Sequence, residues 1–498
     1  MSALFDTIIM APAFFASAAF LFLLIGLLIG IVVGALPGVG PLLGVAMAVP
    51  FTFYMDPVTS MALLMGIYQG GAYGGAISAT LIGIPGTPMA AATLLDAYPM
   101  ALGGHASRAI TLATLASSVG GIIGAVILIA IAPALAAIAI KFGPSETAAF
   151  TLLGLATIGA MSGETPMKGW LMGFFGLALA TIGLDPVSGV SRFTFGSVYL
   201  DSGIVLIPLL VGLFSLSEVL IQLERPVRAF DGGVRVSISL SMFRSVILRP
   251  INYIRSSLIG IFVGILPGVG GDTAAFLSYR SALPFKRSGD AEFGKGNPDG
   301  VIASEAANSA VTGGALIPML ALAIPGDPIV AVLMSGLVIQ GIQPGAAMFL
   351  NNADVVQGIF LVFLIGAALL LPLGLLISRG ILQVLRLPQW VVMSTVLMVS
   401  FLGTYVIARQ ILDLYALLVF GVLGYLLRRA NFPIAPIVIG FVLGPIFERN
   451  FRRTGLISQG DMIGYIAERP ITIAVLLLTL AFIILPFASR LRKRPNAA

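Results

Sequence analysis

The chain has 498 residues, of which 58% are hydrophobic and only 10% are charged. Soluble domains carry about 25% charged residues, so this composition excludes a soluble enzyme, a nucleic-acid-binding protein and a disordered chain. The net charge of +6 is compatible with a membrane protein, in which Lys and Arg are mostly loop charges that set orientation. Because the chain has no cysteine, disulfides and thiol-ligated metals are also excluded.

The length and the 59 glycines favour an all-α polytopic membrane protein with about 10–12 spans over a lipid-facing β-barrel. We expect the first span in the apolar stretch from about Ala13 to Leu36. No Lys or Arg precedes Arg108, so this stretch lacks the basic region of a removable signal peptide and is expected to be retained.

Two glycine- and proline-rich motifs occur twice, in the same order. Leu-Pro-Gly-Val-Gly stands at 36–40 and again at 266–270, an offset of 230 residues. Ile-Pro-Gly-Xaa-Pro stands at 84–88 and again at 324–328, an offset of 240 residues. The longer offset is explained by a polar loop that is enlarged in the second copy, between Pro284 and Asp299.

This duplication predicts two homologous halves joined by a linker. The predicted segments are a first membrane repeat over 1–222, a cytoplasmic linker over 223–253, a second membrane repeat over 254–455, and a C-terminal extra helix with a basic tail over 456–498.

Charge bias predicts that the two repeats are inverted. The linker carries five arginines against two acidic residues, which places it in the cytoplasm. The loop at 50–60 has no cation, whereas its counterpart at 280–295 has four. Matching loops of opposite bias are expected when each half crosses the membrane an odd number of times. The arginines at 428–429 and 449–453 do not fit this pattern. The two clusters cannot both be cytoplasmic if the short apolar stretch between them crosses the membrane.

The duplicated motifs predict broken or re-entrant helices. Proline removes a backbone donor and glycine weakens the helix, so each motif should end one half-helix and start another. Freed backbone groups are tolerated in a membrane only inside protein or beside a water-filled cavity, and helix N-termini suit carboxylates. The alternative to a binding site at these breaks is that they are proline kinks that contact no ligand. The predicted substrate-binding residues are Pro37, Gly38, Val39, Gly40, Gln69, Thr87, Pro267, Gly268, Val269, Gly270 and Asn308.

Acidic residues near the second copies of the motifs are candidates for coupling to a cation. Asp272 and Thr273 follow the second Pro-Gly-Val-Gly, Glu305 lies on the helix before Ile-Pro-Gly-Asp-Pro, and Asp327 is part of that motif. Ionised side chains inside a membrane are costly and usually face a cavity. The alternative is that Asp272 and Asp327 only cap half-helices. We predict no metal site beyond a possible Na⁺.

The duplicated motifs, together with Tyr-Gln-Gly-Gly-Ala-Tyr-Gly-Gly at 68–75, resemble the large membrane subunit of the bacterial tripartite tricarboxylate transporters. The stretch 300–310 is similar to a second signature of that family, and the resemblance is strongest from Gly26 to Ala347. It implies a secondary transporter of the bacterial inner membrane that imports small di- or tricarboxylates, driven by a gradient of Na⁺ or H⁺. It also implies two partners, a small four-helix membrane subunit and a periplasmic substrate-binding protein, and no cofactor.

Two other functions fit the composition. An anion channel would take up substrate without a cation or a binding protein, and a scaffold subunit would transport nothing alone. An enzyme is not expected, since the sequence has no P-loop and no Gly-x-Ser-x-Gly or His-Glu-x-x-His motif.

Overall fold

The structure is a computed structural model that describes residue 7 and residues 9–161, 165–185, 188–224, 249–268, 270–385 and 387–492. The predicted all-α membrane fold is confirmed. Within the described ranges, the only strands are the antiparallel pair β1 (Gly183–Leu184) and β2 (Ser191–Arg192).

The α-helices before the linker are α1 (Ala11–Phe15), α2 (Ala18–Ala35), α3 (Gly40–Thr52), α4 (Pro57–Ile82), α5 (Ala91–Met100), α6 (Ala106–Ala139), α7 (Pro144–Met161), α8 (Pro166–Ala180), α9 (Val198–Asp201), α10 (Leu206–Val211) and α11 (Ser217–Glu224). Short 3₁₀ or π turns connect some of them at Pro88–Ala90, Ala101–His105 and Gly212–Leu216.

The α-helices after the linker are α12 (Pro250–Ile265), α13 (Gly271–Ala282), α14 (Pro298–Leu322), α15 (Pro328–Ile339), α16 (Met348–Asn351), α17 (Ala353–Leu385), α18 (Gln389–Ala408), α19 (Ile411–Arg429), α20 (Ala435–Ile457), α21 (Met462–Ala467) and α22 (Pro470–Arg492). A 3₁₀ turn at Leu283–Phe285 follows α13. Most of the predicted linker lies outside the described residues. Helix α12 begins at Pro250, which is inside the range 223–253 predicted for the linker.

Six helical stretches of the described chain are long and apolar enough to cross a bilayer. They are Ala18–Ala35, Pro88–Ala139, Leu206–Glu224, Ala353–Ile381, Gln389–Val406 and Ile411–Arg429. Shorter apolar helices cover Gly40–Thr52, Pro250–Ile265, Pro328–Ile339 and Pro470–Ile484. The number of crossings and the inverted topology stay predictions.

The centre of the molecule is formed by α4 and α14, which are buried along nearly their whole length, from Thr59 to Leu81 and from Pro298 to Ala321. A helix that is covered on every side belongs to a core and not to a lipid-facing surface. The main neighbour of α4 is α2, and the main neighbours of α14 are α6 and α12.

Equivalent glycines make equivalent contacts in the two halves. A Cβ at Gly30 would collide with the backbone carbonyl of Ile67, and a Cβ at Gly260 would collide with the carbonyl of Ala307. The two glycines are separated by the offset of the first motif, and Ile67 and Ala307 by the offset of the second. Small residues at these positions let the helix backbones approach closely, as is common in membrane interiors.

The first motif interrupts the helix in both copies. The chain leaves helical geometry between α2 and α3 and again between α12 and α13. Gly38 and Gly268 both have a φ of 85°, and Gly40 and Gly270 have φ values of 68° and 82°. Only glycine adopts this left-handed region without steric cost, so these positions fix the shape of both breaks.

The second motif follows a left-handed helix end in both copies. Gly83 ends α4 with a φ of 70°, and Ala323 ends α14 with a φ of 57°. After each break a new helical segment begins at a proline, with the 3₁₀ turn at Pro88 and α15 at Pro328. Proline suits the first helical turn, where its missing N–H would have no partner in any case.

Candidate substrate cavity

The breaks of both motif pairs line one cavity of about 1020 Å³. Four helical segments begin in its wall, at Gly40, Pro88, Gly271 and Pro328. Each helix N-terminus presents backbone N–H groups and about half a positive charge. Four such ends converging on one space favour an anionic ligand.

The structure brings together most of the predicted site residues. The wall of the cavity contains Gly38, Val39, Gly40, Thr87, Gly268, Gly270, Asp272, Thr273 and Asp327. Pro37 and Pro267 lie in the breaks next to the wall and do not line it. Val269 lies outside the described residues. Gln69, Asn308 and Glu305 lie elsewhere, in the buried centre of the molecule.

The two sides of the cavity differ in chemistry at equivalent positions. Leu42 and Leu43 follow the first Pro-Gly-Val-Gly, whereas Asp272 and Thr273 follow the second, and all four side chains line the cavity. At these equivalent positions the first half is apolar and the second half is polar and acidic.

The carboxylate of Asp272 is free of protein partners. It is exposed in the first turn of α13, and it has no hydrogen bond or ion pair with any residue that the structure describes. Its side chain does not cap the helix. The capping alternative therefore does not describe the observed geometry of Asp272, and the carboxylate is available to a ligand.

Asp327 does cap a helix. Its side chain is only 3% exposed, and Oδ1 accepts a 2.8 Å hydrogen bond from the backbone N–H of Val330 at the start of α15. Oδ2 accepts a hydrogen bond from the hydroxyl of Tyr68 on α4. Asp327 thus joins the wall of the cavity to the central helix α4, as the capping alternative expected for this residue.

Sequence reasoning missed the charged pair Arg428–Glu218. Arg428, at the end of α19, is the one cation among the described residues of the wall, and its guanidinium forms an ion pair with Glu218 of α11. Gln222 donates a 2.8 Å hydrogen bond to the other oxygen of Glu218. Arg428 was interpreted only as a topology signal, and its partner lies far away along the chain, so local spacing could not reveal the pair.

Glu305, Asn308 and Gln69 are all buried in the centre of the molecule, apart from the cavity. Glu305 is fully buried on α14 and accepts hydrogen bonds from Thr93 and from Ser117 Oγ, the latter at 2.8 Å. Asn308 donates to the backbone carbonyl of Ala72 at 2.9 Å. The sequence predicts Gln69 and Asn308 beside the substrate, whereas in the structure neither residue lines the cavity.

A second cavity of about 640 Å³ lies at the other end of α15 and α20. Pro328 and Ala435 line the first cavity, while Val338 and Arg449 line the second. Arg449 and its neighbour Arg453, which also lines it, have no hydrogen bond or ion pair with described residues. The two arginine clusters that cannot both be cytoplasmic, at 428–429 and 449–453, thus lie at two different cavities.

Comparison with known proteins identifies the family. Residues 20–439 match the tripartite tricarboxylate transporter TctA family. An uncharacterized 52.8 kDa protein in the TAR-I ttuC' 3' region of Agrobacterium vitis is 35% identical over 453 residues, covering 90% of this chain and 89% of that protein. An uncharacterized protein in the TAR-II ttuC' 3' region of the same organism is 34% identical over 235 residues, covering 47% of this chain and 96% of that protein. No solved structure matches.

The resemblance inferred from the duplicated motifs is confirmed by a match that covers most of the chain. Since the first of these relatives also aligns over nearly its whole length, the chain belongs to the tripartite tricarboxylate transporter TctA family.

Proposed function

We propose that this protein is the large transmembrane subunit of a binding-protein-dependent secondary transporter that imports small di- or tricarboxylates by symport with Na⁺ or H⁺. The observation that carries this proposal is the convergence of four helix N-termini, one of them capped by Asp327, and Arg428 on one cavity. Such an arrangement offers backbone donors and one guanidinium to the carboxylates of a substrate.

The role of Arg428 follows from its pairing. Its guanidinium contacts Glu218 and is still partly exposed, with a side-chain accessibility of 29%. A substrate carboxylate can therefore bind the remaining N–H groups of the Arg428 guanidinium while the ion pair with Glu218 stays intact. Arg suits this role because its planar fork binds a carboxylate through two hydrogen bonds.

Charge balance supports coupling to a cation. The cavity wall already contains the free carboxylate of Asp272, and a di- or tricarboxylate would bring two or three further negative charges. Like charges in a site of low dielectric repel strongly. A cation that enters with the substrate reduces this repulsion, which makes symport the favoured arrangement and argues against a simple anion pore, where Lys or Arg rings are expected.

The partners follow from the family. A tripartite transporter requires two further components, and we propose the small four-helix membrane subunit and the periplasmic substrate-binding protein of the bacterial inner membrane. This chain would then supply the route through the lipid bilayer, and the binding protein would deliver the carboxylate.

Uptake into proteoliposomes tests this function. Purified protein is reconstituted with or without each partner, and a panel of labelled di- and tricarboxylates is offered under imposed Na⁺ or H⁺ gradients. We expect uptake only with the binding protein present and a cation gradient imposed. Uptake that needs neither would identify an anion channel, and no uptake of any carboxylate with all partners present would favour a scaffold subunit.

A further inference from the structure

A small closed cavity lies in the centre of the molecule, apart from the substrate cavity. Its volume is about 10 Å³, close to that of a single water-sized sphere. Its wall is contributed by α4 (Gln69, Ala72), α6 (Ser117, Gly121), α14 (Ser309, Thr312) and α17 (Ala367, Leu370). The polar atoms that its lining side chains offer are mainly oxygens.

Two of these oxygens lack a hydrogen-bond partner in the described part of the chain. Gln69 Oε1 and Ser309 Oγ are both unpaired, although the two residues are only 5% and 4% exposed. The amide nitrogen of Gln69 donates to the carbonyl of Phe363 at 2.9 Å, which leaves the oxygen as the free end of the side chain. Buried polar atoms are nearly always satisfied, so two such atoms at one small cavity indicate a ligand that accepts their lone pairs.

A buried carboxyl group, that of Glu305, lies next to the cavity. Ser117, which lines it, donates a 2.8 Å hydrogen bond to Oε2 of Glu305. No ion pair to Glu305 occurs among the described residues. A hard cation prefers oxygen ligands, and a cation bound here would stabilise the ionised form of the neighbouring Glu305 carboxyl group.

The cavity lies where equivalent residues of the two halves meet. Gln69 and Ser309 are separated by 240 residues, the offset of the Ile-Pro-Gly motifs, and so are Ala72 and Thr312. Coupling ions of secondary transporters commonly bind between structural repeats, near the middle of the membrane. The residue before Gln69 is Tyr68, which donates to Asp327 in the wall of the substrate cavity. Gln69, which lines the small cavity, is therefore the sequence neighbour of a residue that contacts the wall of the substrate cavity.

We propose that this cavity binds one sodium ion, with the side-chain oxygens of Gln69, Ser117, Ser309 and Thr312 as ligands and Glu305 as the balancing charge. The site rests on the proposed function, in which it would hold one coupling cation inside the protein, separate from the charge of Asp272 in the substrate cavity. It also gives Gln69 a role that differs from the one its sequence position suggested, since the amide oxygen faces a cation and not the substrate.

Sodium binding is measured directly, without substrate or partners. The purified full-length protein is heated in NaCl or in KCl at equal ionic strength, and bound ²²Na⁺ is counted. We expect saturable stabilisation by Na⁺, not by K⁺, with about one ion bound per chain, because a ligand that binds only the folded state raises its melting temperature.

Two variants test the ligands. Ser309→Ala removes an oxygen with little change in volume, and Glu305→Gln removes the charge. Each is expected to raise the Na⁺ concentration for half-maximal stabilisation at least tenfold. Ser335→Ala is the matched control, because Ser335 is equally buried but bonds only to Ala331 within α15. Gly366→Ala provides a second test in case Ser309→Ala does not fold, since a Cβ there would collide with Gln69 Oε1.

The outcomes separate this site from the proposed function. Equal stabilisation by Na⁺ and K⁺ in the unaltered protein would overturn the site and leave a buried water as the ligand. An unchanged Na⁺ response in Ser309→Ala, Glu305→Gln and Gly366→Ala would overturn it as well. Normal Na⁺ binding without carboxylate uptake in complete proteoliposomes would refute the transport function and leave the sodium site standing.

Discussion

Asp272 and Asp327 both line the substrate cavity, but only Asp327 has its carboxylate committed to protein donors. Equivalent positions in the first half hold Leu42 and Thr87. The first half contributes only Glu218, which is paired with Arg428, whereas Asp272 and Asp327 come from the second half and have separate roles. Asp327 holds α15 and α4 in place, while Asp272 is free to meet the transported species.

Asp272→Asn is expected to fold normally, because the native carboxylate has no partner in the described part of the chain to lose. Uptake should lose its dependence on the cation gradient, since the charge that the cation balances is gone. The measurement is gradient-dependent uptake in proteoliposomes, with Asp354→Asn, exposed in the first turn of α17, as the control. Full gradient dependence in the variant would remove Asp272 from the coupling mechanism.

Arg428→Gln is expected to reduce carboxylate uptake by a factor of about 10–100, the usual effect of losing a hydrogen bond to a charged group. The uptake rate of Arg428→Lys should lie between those of the unaltered protein and Arg428→Gln, because lysine keeps the charge but lacks the planar guanidinium. Arg429→Gln is the matched control, as Arg429 is mostly exposed and does not line the cavity. Initial uptake rates at equal amounts of protein give the comparison, and equal rates for all three variants would place the substrate elsewhere.

The breaks of the first motif set the geometry of the cavity at the level of helices. Gly268 also donates a 3.1 Å backbone hydrogen bond to Gly326, which ties the first break of the second half to its second break. The two breaks of the second half are therefore joined directly by a backbone hydrogen bond.

Gly38→Val and Gly268→Val are each expected to abolish transport. Both residues have a φ of 85°, which a β-branched side chain adopts only with strain. Gly380→Val on α17 is the control, because a Cβ there meets no atom within 4 Å and the backbone is helical. Protein yield and size-exclusion profile are compared with uptake, and normal transport by both strained variants would show that the substrate does not approach these breaks.

The sequence was sufficient to predict the breaks because proline and glycine act on the local backbone. It could not predict that α14 ends in a left-handed alanine, Ala323, where the first half has Gly83. Helical spacing placed Glu305 and Asn308 on one face of α14, but which cavity that face meets depends on the helices packed around it. Arg428 and Glu218 meet only through the packing of α19 against α11, which no local pattern encodes.

At the scale of the whole molecule, α15 and α20 connect the two larger cavities. Pro328 and Val338, at the two ends of α15, are about 15 Å apart along the helix axis. The two helices contribute residues to both cavities, and we expect them to separate two aqueous compartments; Leu443 of α20 is fully buried.

Because the sequence has no cysteine, this expected separation can be tested by introducing one cysteine at a time into the natural sequence. Thr273 lines the first cavity and Gln343 lines the second, so the variants Thr273→Cys and Gln343→Cys each place one thiol in one of the cavities. We expect a membrane-impermeant thiol reagent to label the two variants from opposite sides of the bilayer, and substrate to change both rates. Labelling of both from the same side would mean that α15 does not separate two aqueous compartments.

The leucine pair on one side of the substrate cavity has a consequence for selectivity. Leu42 and Leu43 form a hydrocarbon surface, and Asp272 and Thr273 face the same space from the other half. A substrate that lays its methylene carbons against these leucines would shield that surface from water while its carboxylates face the helix N-termini and Arg428. Among di- and tricarboxylates, we therefore expect the number of carbons between the carboxylates to decide which molecules are accepted.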